Sequence, residues 1–240
     1  MEFSGEMKLK DIALSNPAAR QTLEDAGLDY CCSGTKSLYE ACLQGAVSAE
    51  EILKRLGETS KNVGPDNVDW MTTPLSELTR HIREKHHHYV RESLPQVQAM
   101  LEKVVARHGQ NHPEIAHIRG IFVEVGNEML THMRKEEQVL FPYIDAVDAA
   151  ANAHAAVEPP FFRTVKNPIH TMMKEHDAAG ELVKQIRSLS GSYTPPMGAC
   201  TTFRALYQSL KEFDADLHQH VHLENNVLFP RAVEAEATVA

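Results

Sequence analysis

One pattern of eleven residues occurs twice in this chain. The stretches HMRKEEQVLFP (132–142) and HVHLENNVLFP (220–230) share histidine, glutamate, valine, leucine, phenylalanine and proline at the same spacing. Such agreement marks an internal repeat. Residues four apart lie on one face of a helix. His132 and Glu136 therefore point the same way, as do His220 and Glu224. At about 100° per residue, the first pair falls within the arc of Ile118, Val125, Met129 and Leu140. The second shares the arc of Leu206, Leu217 and Leu228. Both polar pairs face a core. A bare carboxylate there costs several kcal/mol even after relaxation, so a partner is required. Hydrogen bonding within each His–Glu pair would meet the need locally but leaves the duplication unexplained. A metal that takes all four groups explains both.

Each half of the repeat also supplies a lone histidine. His176 shares the face of Met172, Ala179 and Val183, and precedes Glu181 by five residues. On the first helix His86, His87 and His88 are consecutive, and His87 precedes Glu92 by the same interval. The stripe of Leu75, Ile82, Val90 and Val97 passes nearer His86, whereas the repeat spacing favours His87. Pro95 is a candidate for bending the local register, and His88 points to solvent. The set is then His87, His132, Glu136, His176, His220 and Glu224. Four imidazoles and two carboxylates suit two ions better than one. Nitrogen and oxygen ligation without thiolate suits iron, manganese or zinc. Zinc usually closes its shell at four ligands, so six suggest a redox pair; two iron ions are the expectation and manganese the lesser one, although ligand identity alone does not separate them.

The rest of the chain supports an all-α fold. Hydrophobic residues make up 42% of it, enough for a packed core. The net charge of −9 disfavours nucleic acid. No apolar run is long enough to span a membrane, and no leader is evident, so a cytoplasmic location with reduced thiols is expected. Residues 1–62 read as a small helical domain. Asn16-Pro17 opens a helix that Gly27 closes, Tyr30–Gly34 is a turn, Ser37 caps a helix over 38–43, and Ser48–Glu51 caps another ending at Gly57. Residues 63–73 read as a linker. Four long helices follow, at about 74–108, 113–148, 164–190 and 200–234, so 74–235 is expected to be an up-down-up-down four-helix bundle.

These motifs resemble the hemerythrin-like domain. The whole chain resembles the family of iron–sulfur cluster repair di-iron (RIC) proteins, through Asp29–Gly34, His132–Pro142, Glu175–Asp177, Ala199–Thr202 and Leu223–Arg231. The resemblance implies metal ligation by His87, His132, Glu136, His176, His220 and Glu224, with both glutamates bridging. It also places the family's vicinal cysteines at Cys31 and Cys32, with Ser33 where the family usually has glycine. Those thiols are suspected of redox activity, and a nearby helix N-terminus would lower their pKa. Cys42 reads as core and Cys200 as incidental. Glu137 and Glu175 stand near the ligands, either as their hydrogen-bond partners or simply solvated.

The function implied is repair of iron–sulfur clusters damaged by oxidative or nitrosative stress, through iron donation to damaged iron–sulfur proteins. Competing expectations are an enzyme reducing nitric oxide at the di-iron centre, and a module sensing O2 or NO. A homodimer through the N-terminal module is a further expectation, because about 60 residues give a marginal core.

Overall fold

The computed structural model describes residues 3–59 and 68–239. Part of the expected linker, 63–67, lies outside the described residues. Among those described, every regular element is helical, apart from one isolated antiparallel bridge between Lys8 and Ser37. The helices fall into two compact units, residues 1–73 with 221–230 and residues 74–220 with 231–240.

The first unit holds α1 (Leu9–Ser15), α2 (Pro17–Asp25), α3 (Leu38–Gly45) and α4 (Ala49–Thr59). α1 is a short helix not expected from the sequence, and its N-cap, Lys8, makes no side-chain cap bond. Asn16 caps α2 by accepting from the Ala19 amide at 2.7 Å. Gly27, at φ +68°, ends the helix in a Schellman arrangement: Gly27 N donates to Glu24 O and Leu28 N to Leu23 O. Ser37 and Glu40 form a reciprocal capping box on α3. Leu9, Ile12, Leu23, Tyr30, Leu38 and Leu56 are fully buried in this unit's core.

The second unit contains three long helical rods and part of a fourth. The first rod is α5 (Leu75–His81), a π turn (Ile82–His87) and α6 (His88–His108). The second is α7 (Glu114–Lys135), a π turn (Glu136–Leu140) and α8 (Phe141–Ala153). The third is α9 (Lys166–Leu189), helical throughout. The fourth is α10 (Thr201–Leu223), a π turn (Glu224–Leu228) and α11 (Phe229–Val239), with 221–230 clustering in the first unit. α5 packs on α8 and α6 on α7, so the first two rods run antiparallel, and α7 packs on α9.

The π turns answer to sequence. Both repeats carry proline six residues after the glutamate. Proline has no N–H to donate and clashes with the preceding turn of an α-helix. In the wider turn the amides of Phe141 and Phe229 reach back five residues, to the carbonyls of Glu136 and Glu224. The motif E-x-x-V-L-F-P thus writes the same π turn twice. In the first rod His88 N likewise donates to Arg83 O. The register change expected at Pro95 occurs there instead; Pro95 lies within α6.

Candidate metal centre

The π turn in the first rod settles what a helical wheel leaves in conflict. An extra residue per turn lets both His86 and His87 turn inward, each with no exposed surface. His88 is exposed. On the second rod His132 is 2% exposed and Glu136 fully buried, and on the third His176 is 1% exposed. On the fourth, His220 and Glu224 sit one turn apart and both are fully buried.

Within the second unit His87, His132, Glu136, His176 and His220 converge. His87 Nε2 lies 3.2 Å from His220 Nε2, and His132 Nε2 lies 2.9 Å from His176 Nε2. Glu136 stands between the two pairs: Oε2 is 3.4 Å from His87 Nε2 and Oε1 is 3.2 Å from His132 Nε2. One carboxylate thus turns each oxygen toward a different imidazole pair. His87, Glu136 and His220 offer ligand atoms within 4.8 Å of one another, as do His132, Glu136 and His176.

Carboxylates fix the ring orientations. His87 Nδ1 donates to Glu137 Oε1 at 2.7 Å, and His132 Nδ1 donates to Glu175 Oε2 at 2.9 Å. Glu137 is held in turn by Arg91, whose Nη2 reaches both its oxygens at 2.8 Å. Glu175 is held by Lys135. Partial burial pushes both carboxyls up, but the hydrogen bonds from Arg91 and His87, and from Lys135 and His132, keep them below the ordinary carboxylate range. Both are therefore ionised acceptors. With Nδ1 donating, Nε2 is the nitrogen that His87 and His132 turn toward Glu136, at 3.4 and 3.2 Å, and either a proton or a metal ion between them makes that approach favourable. The donor set fits a pair of metal ions.

A cleft of about 590 Å³ between α7 and α9 reaches this region, with Met129, His132, Lys135, Thr171 and Glu175 among its walls. His86, toward which the apolar stripe of the first helix points, is also pinned: its Nδ1 donates to Asp216 Oδ1 at 2.9 Å. Burial holds the His86 ring below the usual histidine pKa, against the pull of Asp216. Nothing in sequence spacing links His86 to Asp216.

The cysteine turn belongs to the first unit and departs from expectation. α3 does not begin until Leu38, so the cysteines do not sit in its first turn. Asp29 Oδ1 accepts from the amides of Cys31 and Cys32, at 3.1 and 2.9 Å, and from Cys31 Sγ at 3.1 Å. The two sulfurs are 3.7 Å apart, with Cys31 Sγ donating to Cys32 Sγ and no disulfide between them. The hydrogen bond to Cys32, burial and the charge of Asp29 raise the Cys31 thiol well above its ordinary pKa. That corrects the lowered value expected from a helix terminus. Asn226, in the Leu223–Arg231 motif, ties to this turn by donating from Nδ2 to the carbonyls of Cys31 and Tyr30 at 3.1 and 3.3 Å. His222 packs edge-on to Tyr30, with ring centroids 5.1 Å apart. Cys42 is buried, and Cys200 is exposed, 3.3 Å from His108 Nε2.

No helix among the described residues is long and apolar enough to cross a membrane. Residues 78–232 match the hemerythrin HHE cation-binding domain, and residues 5–60 match the ScdA_N domain, described as of unknown function. A probable iron–sulfur cluster repair protein of Haemophilus influenzae is 35% identical over 97% of this chain and 99% of its own length. The iron–sulfur cluster repair protein YtfE of Pectobacterium carotovorum is 35% identical over 96% of this chain and 98% of its own, and that of Citrobacter koseri 34% identical over the same shares. By these matches the chain belongs to the hemerythrin HHE family, within the group of full-length iron–sulfur cluster repair proteins.

Proposed function

We propose that this protein holds two iron ions and donates iron to iron–sulfur proteins whose clusters have been damaged by oxidative or nitrosative stress. The observation that carries the reading is Glu136, fully buried, with one oxygen toward His87 and the other toward His132. In this assignment His87 and His220 hold one ion, His132 and His176 the other, and Glu136 bridges them. Glu224 is the second bridge, by its place in the repeat. Bound iron would supply a redox pair whose charge sets how tightly two shared carboxylates hold it.

The chain's own residues supply the rest. Glu137 and Glu175 orient the imidazoles, and such partners typically govern metal affinity 10–100-fold. Six protein ligands for two ions leave coordination positions open, and the cleft beside His132 gives small molecules a way in. The relatives carry the printed name of iron–sulfur cluster repair proteins, and this chain matches them along nearly its whole length.

Ferrous-loaded protein is expected to restore activity to a peroxide-damaged hydro-lyase with a [4Fe–4S] cluster. Glu136→Ala is expected to do no better than the same amount of free ferrous ion. Equal reactivation by the variant and the wild type would overturn iron donation from this site. Mössbauer spectra of the loaded wild type are expected to show two coupled irons.

A further inference from the structure

Three imidazoles in the second unit share one design. His87, His132 and His86 each donate Nδ1 to a carboxylate, those of Glu137, Glu175 and Asp216, at 2.7, 2.9 and 2.9 Å. Such a bond fixes the tautomer and leaves Nε2 as the lone-pair nitrogen, the arrangement of a metal-ligating histidine. For His87 and His132 the Nε2 atoms lie in the two ligand clusters. For His86 the Nε2 atom is buried and has no hydrogen-bond partner among the described residues. A buried polar atom left so is rare and costly. Solvent does not account for it, since His86 has no exposed surface.

Position adds to the argument. The His86 ring stacks on the His220 ring, with centroids 5.6 Å apart and planes within 6°. His220 Nε2 in turn faces His87 Nε2. His86 and His87 close the same π turn, whose hydrogen bonding is looser than that of an α-helix. An extra residue in a helix can pass along by one position, and that step would carry His86 toward the place His87 occupies.

We propose that His86 is an auxiliary metal ligand, an imidazole set by Asp216 to join the shell of the ion held by His87 and His220 when another ligand leaves. This rests on the di-iron reading above and adds a seventh side chain to it. The role is retention: a spare imidazole beside one ion slows that ion's escape and leaves the ion at His132 and His176 alone. The two metal positions would then differ in lability, and the faster one to leave would be that at His132 and His176.

The test uses the full-length protein loaded with two ferrous ions under anaerobic conditions and challenged with excess of a coloured ferrous chelator. Wild type is expected to release iron in two phases of equal size. His86→Phe keeps a ring to stack on His220 but offers no nitrogen. It is expected to speed the slow phase about tenfold, the lower end for loss of a ligand-set group, and to leave the fast phase unchanged. Asp216→Asn is expected to speed the slow phase less. Thermal unfolding of the metal-free proteins checks that both variants fold. Two unchanged phases in a folded His86→Phe protein would overturn the auxiliary role, as would equal acceleration of both. A wild type that takes up no pair of ions fails the di-iron reading itself, a separate outcome.

Discussion

Leu9, Ile12, Leu23, Leu38 and Leu56 are among the fully buried side chains of the N-terminal helices, whereas the long rods bury His86, His87, Glu136 and His220 just as completely. The first set is what burial favours: each leucine or isoleucine contributes about 1.5–3 kcal/mol by leaving water. The second set opposes folding unless each charge and lone pair finds a partner. The small unit therefore holds together through apolar contact and well-made caps. The centre of the bundle is built for a ligand, and the apolar residues above and below it carry the stability. A protein that places its most costly residues at the middle of its longest helices is organised around what binds there.

The sharpest way to break that contrast is to make the second centre resemble the first. Glu136→Leu replaces the shared carboxylate by an apolar group of similar volume. Bound iron is expected to fall from two ions per chain to fewer than one, measured by metal analysis after anaerobic loading. The melting temperature is expected to stop responding to ferrous ion. In the presence of chelator the variant is expected to be as stable as wild type or more so, by up to about 4 kcal/mol, since replacing buried ionic groups by apolar ones is often stabilising. A metal-free variant several kcal/mol less stable would mean that Glu136 serves the fold, and the contrast between the two centres would fail.

A third buried site sharpens the comparison because protein groups alone satisfy it. Asp214 is 3% exposed and binds Arg187 through two bonds of 2.9 Å, Tyr193 Oη at 2.7 Å and His218 Nδ1 at 2.8 Å. Burial pushes its carboxyl up, but His218, Arg187 and Tyr193 outweigh that and hold it below the ordinary value. A depressed carboxyl contributes stability that is complete above its unfolded pKa, about 3.9, and lost as pH falls through the folded value. Asp214→Asn is expected to cost about 3 kcal/mol at neutral pH, the lower end for breaking a buried pair, because Arg187 keeps some contact with water. The gap between variant and wild type is expected to close below about pH 4. Denaturant unfolding in chelator measures it, and metal content at neutral pH is expected to stay at two.

Some of this could be read from residues in order, and some could not. The repeat was legible because histidine, glutamate and proline recur at fixed spacing, and the caps at Asn16, Ser37 and Gly27 because local chemistry sets them. The π turns were hidden by the assumption of 100° per residue, which forced a choice between His86 and His87 where the structure buries both. The signal was present in Pro142 and Pro230, which an unbroken α-helix accommodates poorly. α1 was missed because it is seven residues long and its cap has no side-chain bond. Asp216 is 130 residues from His86, and only folding brings them together. Glu137 and Glu175 could be named from sequence but not told from solvated carboxylates until Arg91 and Lys135 were seen to hold them. The cysteine turn misled because nearness to a helix was inferred from a capping signal at Ser37, while Asp29, two residues before Cys31, decides the thiol's surroundings.

That turn offers the smallest effect and a direct one. Cys31 and Cys42 are buried, Cys32 is half-buried and Cys200 is exposed. Reaction with a disulfide reagent requires the thiolate and access to it. In the folded, reduced protein Cys200 and then Cys32 are expected to be labelled, with Cys31 and Cys42 reacting only on unfolding, as mapped by mass spectrometry of the peptides. Asp29→Asn removes one charge that opposes the Cys31 thiolate and weakens the acceptor of its S–H. Labelling of Cys31 is then expected to rise several-fold at pH 8 while Cys42 stays protected. If Cys31 reacts first in the wild type, the turn does not shield its sulfur, and the apolar core of the N-terminal unit ends short of the cysteine pair.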